Sequence, residues 1–238
     1  MAERSAARAR RVQRPASRAA PRKRAIYDDE KEARRSELLA AARRLFLEHD
    51  GRLATVTEVA ARAGVAKGTV YLYFQTKEEL YVTHYEELMT ALLARLRAVC
   101  TDGRHDVRAG IVDAICAFVE EQPDFLRLAS LMNGVLEQNL SDEFIEAYKS
   151  RLGDALVATA VAITQALAPL TLDEATRLFL RSYALALGLW QQADLPRVVR
   201  RLIARRADLG FYAIDFAGEL RSALSLVWQP PGRESRAT

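Results

Sequence analysis

Hydrophobic residues recur at helical spacing along almost the whole chain, and no segment alternates in the way of a half-buried β-strand. In residues 31–51, Leu38, Ala42 and Leu45 form one apolar stripe, and Gly51 closes the segment. The pattern predicts an all-α protein. Further helices are expected at residues 57–64, through VYLYF (70–74), at about 77–100, from Val107 to Pro123, at about 124–139, from Ser141 to Pro169, at 173–194 and at 208–228.

The order of these helices indicates a small N-terminal three-helix unit that a fourth helix joins to a larger helical body. The segment 196–206 is basic, and it is either a short helix or a partly mobile loop. We therefore divide the chain into a basic arm, the three-helix unit, the larger domain and an irregular tail, at residues 1–30, 31–80, 81–229 and 230–238 respectively.

The positive charge of the chain is concentrated at its N-terminus. Residues 1–24 hold nine basic residues and one acidic residue, whereas the net charge of the whole chain is only +4. Such a segment has too few apolar residues to fold alone, so we expect a disordered arm. A solubilising leader or a wrongly assigned start codon is the alternative explanation. No apolar region follows the arginines, which argues against a secretory signal.

Several classes of protein are disfavoured by what the sequence holds. The two cysteines, Cys100 and Cys116, lack paired spacing, which argues against a disulfide framework or a thiolate metal site and favours a reducing cytoplasm. No run reaches the roughly 18 apolar residues of a membrane span. His49, His84 and His105 are far apart, and common catalytic motifs are absent. We predict neither an enzyme nor a bound cofactor or metal.

Residues 55–74 have the spacing of a helix-turn-helix. Thr55 and Glu58 form a capping-box pattern that marks the start of the second helix. Gly64 is suited to a left-handed turn at the end of that helix. Val70 and Phe74 are four residues apart and are expected to anchor the third helix to the helices behind it.

The opposite side of the third helix is then left to face solvent. Thr69 and Tyr73 are expected on one stripe, with Lys67 and Tyr71 on another. Lys67 stands at the helix start with no acidic residue three or four positions away. These side chains are suited to contacts with DNA.

Residues 55–80, TVTEVAARAGVAKGTVYLYFQTKEEL, resemble the helix-turn-helix signature of the TetR/AcrR family of bacterial transcription regulators. The resemblance implies that the third helix lies in the major groove of operator DNA. Ala66 departs from the serine that caps this helix in many members, at a cost of about 1 kcal/mol. The implied DNA-binding residues are Thr55, Thr57, Lys67, Gly68, Thr69, Tyr71, Tyr73 and Lys77.

Three of these residues also have structural explanations. Tyr71 would serve equally as half-buried packing, and Thr55 is a helix cap first and a phosphate contact second. Lys77 is followed by Glu78 and Glu79, so it would also fit a merely solvated position. We further hypothesise that the N-terminal arm enters the adjacent minor groove and adds affinity with little sequence information.

The resemblance also assigns dimerisation and ligand binding to the larger domain. It implies that helices 173–194 and 208–228 pair with a second subunit in a four-helix bundle. It further implies a palindromic operator of double-stranded DNA and a cavity for a largely apolar or amphipathic effector. Ordinary core or surface positions are the alternative for each candidate in the cavity wall: Phe118, Met132, Asn133, Leu136, Glu137, Tyr183, Trp190 and Gln191.

The function that follows is a ligand-responsive regulator of bacterial transcription in the cytoplasm, with repression the commoner habit of the family. The effector would shift the population towards a dimer whose recognition helices no longer fit the operator. Two other functions stay open: a nonspecific nucleoid-type DNA-binding protein that uses its arginine arm, and a helical interaction protein that has lost operator binding.

Overall fold

The computed structural model describes residues 20–103 and 106–230, and the side chains from residue 29 onward. All regular elements in these ranges are helical, which confirms the all-α prediction. The predicted arm up to residue 19 and the tail from residue 231 lie outside the described residues. The helices are α1 (Ala20–Glu48), α2 (Val56–Ala63), α3 (Lys67–Tyr71), α4 (Lys77–Thr101), α5 (Val107–Glu121), α6 (Phe125–Leu131), α7 (Asp142–Ala166), α8 (Leu172–Ala193), α9 (Arg197–Arg205) and α10 (Phe216–Val227).

Helix α1 begins eleven residues earlier than the predicted start at residue 31, so residues 20–30 are helical rather than part of an irregular arm. The physical reason lies in the composition of this stretch, since arginine, lysine and alanine have high helix propensity. Pro21 is the one helix breaker, and proline is tolerated in the first turn. The chain divides into two compact units after Glu37, and the elements described below belong to the second.

The core of the helix-turn-helix matches the predicted apolar positions. Leu38, Ala42 and Phe46 of α1 are fully buried, as is Val70 of α3. The Thr55 hydroxyl accepts a hydrogen bond from the Glu58 amide, and the Glu58 carboxylate accepts one from the Thr55 amide at 2.7 Å. The predicted capping box is therefore confirmed.

The turn between α2 and α3 also follows the prediction. Gly64 has φ +68° and ends α2 in the left-handed conformation that glycine adopts without strain.

Hydrogen bonds from Arg52, and then from Thr55, hold the pKa of Glu58 at about 2, well below its usual value. The Glu58 carboxylate therefore stays charged, and able to accept these hydrogen bonds, through the neutral pH range.

Helix α4 joins the helix-turn-helix to the larger body. Tyr81, in its second turn, is buried, and its hydroxyl accepts a hydrogen bond from the Ala54 amide at 2.8 Å. Further along, α4 packs against α5, α6 and α7, while α8 packs against α6, α7 and α10. One helix therefore contributes to the cores of both parts.

The predicted sixth helix is too long. Helix α6 ends at Leu131, and a π-helical turn (Met132–Leu136) and a 3-10 turn (Glu137–Asn139) follow it. Asn133 and Gly134 have low helix propensity, and the side-chain amide of Asn139 donates a hydrogen bond to the Val135 carbonyl in the π turn.

The last helix begins at Phe216 rather than at residue 208, and a 3-10 turn (Ala207–Tyr212) precedes it. Gly210 and the β-branched Ile214 disfavour a continuous helix here. The segment 196–206 contains α9, so the first of the two alternatives for it was correct.

Candidate nucleic-acid interface

The exposed side of α3 carries the side chains that the sequence assigned to it. Val70 and, just after the helix, Phe74 are buried in the core. Lys67 and Gly68 are exposed, Tyr71 is 47% exposed, and Thr69 is half-buried. Anchoring by the two apolar residues therefore presents the start of α3 to solvent, as its amphipathic pattern predicted.

Tyr73 does not share a helical stripe with Thr69, contrary to the prediction. Helix α3 ends at Tyr71, and the Tyr73 amide bonds to the Val70 carbonyl across a tighter turn at 3.0 Å. Threonine, valine and tyrosine have modest helix propensity, which limits so short a helix. Tyr73 is half-buried, whereas the neighbouring Leu72 is 77% exposed and extends the surface beside Tyr71.

A concave surface lies beside α3 and encloses a volume of about 360 Å³. It brings together residues from three helices and their caps. It includes five of the eight predicted DNA-binding residues, namely Thr55, Thr57, Lys67, Tyr71 and Lys77. Four residues that the sequence analysis did not select also line it: Val56, Gln75, Thr76 and Glu78. We call this surface, with the exposed start of α3, the α3 face.

Thr76 had a recognisable signal in the sequence. Its hydroxyl accepts a hydrogen bond from the Glu79 amide at 3.0 Å, and Glu79 accepts one from the Gln75 amide at 2.6 Å. Threonine followed three residues later by glutamate is a capping pattern, the same one that identified Thr55. The pattern therefore pointed to Thr76, whereas no comparable signal marked Gln75.

The two lysines of the α3 face differ in their surroundings. The Lys67 ammonium lies 5.9 Å from the centre of the Tyr71 ring, and none of the described carboxylates pairs with it. The Lys77 ammonium lies 3.7 Å from the Glu78 carboxylate. Lys67 therefore offers the less compensated charge, while part of the charge of Lys77 is already neutralised.

Glycine and alanine occupy two positions at the start of α3. Ala66 makes no side-chain capping hydrogen bond, as expected for its departure from serine. A methyl group added at Gly68 would meet no atom within 4 Å. The fold itself therefore does not require glycine at position 68.

Several predicted cavity-wall residues instead take part in close packing. Phe118 lies edge-on to Phe125, with 5.3 Å between ring centres, and Phe125 in turn stacks on Tyr85. The Tyr85 hydroxyl donates a hydrogen bond to Tyr183 at 2.9 Å. Met132 and Leu136 are buried, whereas Asn133 and Gln191 are exposed.

The remaining two wall candidates have different environments. Glu137 accepts a hydrogen bond from Tyr148 and lies 2.6 Å from the ammonium of Lys149, which it pairs with. Trp190 lines a cavity of about 360 Å³ between α5, α6, α8 and α10. The structure thus brings Phe118 and Tyr183 into one aromatic cluster and places Trp190 elsewhere.

A buried polar cluster connects the helix-turn-helix to the larger body. The Asp124 carboxylate, fully buried before α6, lies 2.6 Å from His84 Nε2 on α4 and accepts a hydrogen bond from Arg43 Nε on α1 at 2.9 Å. Burial alone would raise the pKa of Asp124, but the contacts with His84 and Arg43 outweigh it and lower the pKa. From the sequence, residue 124 was predicted only as the approximate start of the sixth helix.

The described residues form neither a metal-binding cluster nor a membrane-spanning helix. No group of three or more His, Cys, Asp and Glu side chains there is arranged to hold a metal ion. No helix in the same ranges is both long and apolar enough to cross a bilayer.

Family models match the chain in two consecutive segments. Residues 38–82 match the model described as bacterial regulatory proteins of the tetR family. Residues 83–232 match the model described as a tetracyclin repressor-like C-terminal domain. The second segment alone spans more than half of the chain.

Two curated relatives are transcription regulators. The chain is 35% identical over 102 residues to the HTH-type transcriptional activator FasR of Mycolicibacterium smegmatis, covering 41% of this chain and 46% of FasR. It is 29% identical over 126 residues to the HTH-type transcriptional repressor BepR of Brucella suis, covering 43% of this chain and 60% of BepR. The chain thus spans about half the length of the curated relatives it matches.

One solved structure has a related fold. It is a putative TetR-family transcriptional regulator from Mesorhizobium loti, with a TM-score of 0.50 and 18% sequence identity. The alignment covers 82% of this chain and 96% of that protein. At this identity, the likeness concerns the fold.

Proposed function

This chain belongs to the tetR family of bacterial regulatory proteins, and we propose that it binds a palindromic operator as a homodimer and leaves it when a small effector binds. The observation that carries this proposal is the α3 face. Five predicted DNA-binding side chains from separate elements line one exposed concave surface there. An uncompensated lysine and a tyrosine beside it are suited to phosphate and base-edge contacts.

Exposed leucines on two helices support the proposed dimer. Leu172 and Leu180 lie on α8 and are 45% and 48% exposed, and Leu226 on α10 is 65% exposed. Helices α8 and α10 also pack against each other within one subunit. A two-fold pairing of these helices would remove the leucines from water and place the two α3 helices about 34–36 Å apart on one side of the DNA.

Helix α4 supplies the proposed connection between effector and operator. It begins at Lys77 on the α3 face, and its later turns pack against α5, α6 and α7. A change in packing within the larger body would therefore move the start of α4. The effector would favour the arrangement of the two α3 helices that does not fit the operator.

We propose repression as the outcome, since a dimer bound over a promoter excludes polymerase without any further contact. One relative is named as a repressor and another as an activator. The cytoplasm is the proposed location because the operator lies there. The N-terminal arm keeps its proposed role in minor-groove contact.

Selection of binding sites from random DNA duplexes, followed by footprinting, tests the proposal directly. We expect a single protected palindrome whose half-sites are about one helical turn apart. Uniform protection along the DNA would instead identify a nonspecific nucleoid-type protein. The absence of any binding would identify a helical interaction protein.

Replacing Gly68 by alanine is expected to weaken operator binding without destabilising the fold. The added methyl group meets no protein atom within 4 Å, and alanine is favoured over glycine in a helix by roughly 0.5–1 kcal/mol. The methyl group would occupy space that DNA needs at the start of α3, so we expect about a tenfold loss of affinity, or roughly 1.4 kcal/mol. Fluorescence anisotropy and thermal unfolding measure the two quantities.

Gly153→Ala provides the matched control, because Gly153 lies in α7 and also has no atom within 4 Å of an added methyl group. We expect it to leave operator affinity unchanged. Equal operator affinities of the Gly68 and Gly153 variants would contradict close approach of DNA to Gly68.

A further inference from the structure

A mostly apolar cavity lies between α5, α6, α8 and α10, away from the aromatic cluster around Phe125. Its volume is about 360 Å³, within the range of small-molecule sites, roughly 300–1,000 Å³. Val119, Leu126, Trp190 and Leu220 provide apolar walls. A ligand in this cavity would therefore place an apolar body against an indole ring and aliphatic side chains.

Two arginines line the same cavity, but their charges are not equally available. Arg221 forms an ion pair with Asp113, and the carboxylate of Glu120 lies near enough to act on it as well. Arg127 also forms an ion pair, with Asp194, but its guanidinium lies 3.6 Å from the Asp194 oxygen, which is too long for a hydrogen bond. The charge of Arg127 is therefore less compensated than that of Arg221. Its planar guanidinium is suited to binding a carboxylate or a phosphate.

We infer that this cavity binds an amphipathic anion, with its apolar part against Trp190 and its acidic group on Arg127. The inference extends the proposed function, since it states the chemical class of the effector and where it binds. A neutral amphiphile would gain only an ordinary hydrogen bond from Arg127, which is weaker than a charge-assisted one, and a cationic amphiphile would be repelled. A preference for anionic over neutral or cationic ligands is therefore what distinguishes this site from a purely apolar cavity.

Arg127 also contacts the turn that leads into the helix-turn-helix. A methyl group added at Gly51 would lie 2.3 Å from Arg127 Cδ, so the aliphatic part of Arg127 lies directly against this glycine. Gly51 has φ +85°, and the preceding Asp50 has φ +53°. The Asp50 carboxylate is held by Arg197 of α9 at 2.7 Å.

Two arginines of the larger body thus support the Asp50–Gly51 turn between α1 and α2. If the acidic group of a ligand binds the Arg127 guanidinium, the aliphatic part of Arg127 moves with it. The contact between Arg127 and Gly51 then changes. Because α2 holds α3 in place, the cavity has a direct route to the α3 face. Binding of the anion is therefore coupled to operator affinity.

Tryptophan fluorescence measures binding in this cavity without any DNA. The chain has two tryptophans, and Trp228 is 1% exposed with its indole N–H bonded to Ser182, so Trp190 is the one at the cavity. The probes are decanoate and decylammonium below their micelle concentrations, and decanol below its solubility limit. We expect saturable quenching by decanoate, with a dissociation constant at least tenfold lower than that for either of the other two.

Arg127→Gln tests the assigned cation, with Arg221→Gln as the matched control. We expect Arg127→Gln to remove the preference for decanoate over decanol, and Arg221→Gln to keep it. Arg127→Lys retains the charge, so it is expected to keep part of the preference. Equal binding of decanoate and decanol to the native protein, or an unchanged preference in Arg127→Gln with normal thermal unfolding, would overturn the site.

The coupling is measured separately with the selected operator. Decanoate is expected to weaken operator binding at least tenfold in the native protein and to have no effect in Arg127→Gln. Quenching of Trp190 with unchanged operator affinity would overturn the coupling through the turn. If the protein binds no operator at all, the proposed function fails, whereas the quenching experiment still decides on the anion site.

Discussion

Asp124→Ala is expected to lower the free energy of unfolding by about 3 kcal/mol, because it leaves the buried His84 of α4 without its partner and removes the ion pair with Arg43 of α1. His84 is buried and lies 2.6 Å from the Asp124 carboxylate, and Arg43 donates to the same carboxylate. The side chain of Arg43 is 36% exposed, so water recovers part of its loss. The expected value therefore lies at the lower end of the cost of breaking a buried ion pair.

Urea denaturation followed by circular dichroism measures this loss. Asp113→Ala is a matched control, since Asp113 also pairs with an arginine but its side chain is 62% exposed. Exposed ion pairs contribute little to stability, so the urea midpoint of the control should stay close to that of the native protein. Equal midpoints for the two variants would show that the Asp124 cluster contributes no more than a surface pair.

The pH dependence of stability provides a second readout on Asp124. Its pKa is lowered in the folded protein from an ordinary value of 3.8. A carboxyl with a depressed pKa stabilises the fold above its ordinary pKa, and this contribution is lost as the pH falls through the folded value. The native protein should therefore lose stability more steeply below about pH 4 than Asp124→Asn, which has no carboxyl to protonate.

Lys67→Ala is expected to weaken operator binding by about 100-fold while leaving the fold intact. A hydrogen bond to a charged group contributes at least about 1.5 kcal/mol, and a symmetric dimer would lose it in both half-sites, or about 3 kcal/mol and 100-fold in affinity. Lys67 is exposed and belongs to no described ion pair. Its removal should therefore not alter the thermal unfolding of the free protein.

Fluorescence anisotropy with the selected operator at several salt concentrations measures the effect. The slope of log affinity against log salt should become shallower, because fewer counterions are released. Lys149→Ala is the control, since Lys149 lies on α7 and pairs with Glu137. If both lysine variants bind the operator equally well, the DNA interface does not include the start of α3.

Local patterns in the sequence were sufficient to predict the helix-turn-helix. The Thr55 and Glu58 cap, the left-handed Gly64 and the buried Val70 each depend on residues within a few positions of one another. Such features follow from local hydrogen bonding and from helical periodicity, so they are visible in one sequence.

Features that depend on distant residues were not predictable in this way. Residue 124 was predicted only as the approximate start of the sixth helix. Its actual partners, Arg43 and His84, lie 81 and 40 residues away in the chain. Trp190 was among the predicted cavity-wall residues, but the residues of α5, α6 and α10 that complete its cavity were not visible in the sequence. Only the tertiary structure shows which of the aromatic residues border empty space.

The boundaries that were wrong have local causes of a different kind. Helix α3 ends before Tyr73 because its few residues have modest helix propensity, although the apolar period continues to Phe74. Periodicity predicts which side of a segment is buried, and it is weaker evidence for where the hydrogen-bonded helix stops.

Trp228 has a consequence for how the protein is made. Its carbonyl accepts a hydrogen bond from Arg108 of α5 at 2.9 Å, and its ring is buried with its N–H on Ser182 of α8. During translation, the three-helix unit leaves the ribosome long before this residue is added. A premature stop codon just upstream of Trp228 would therefore remove the hydrogen bonds that join the end of α10 to α5 and α8. The truncated product should be a target for proteolysis.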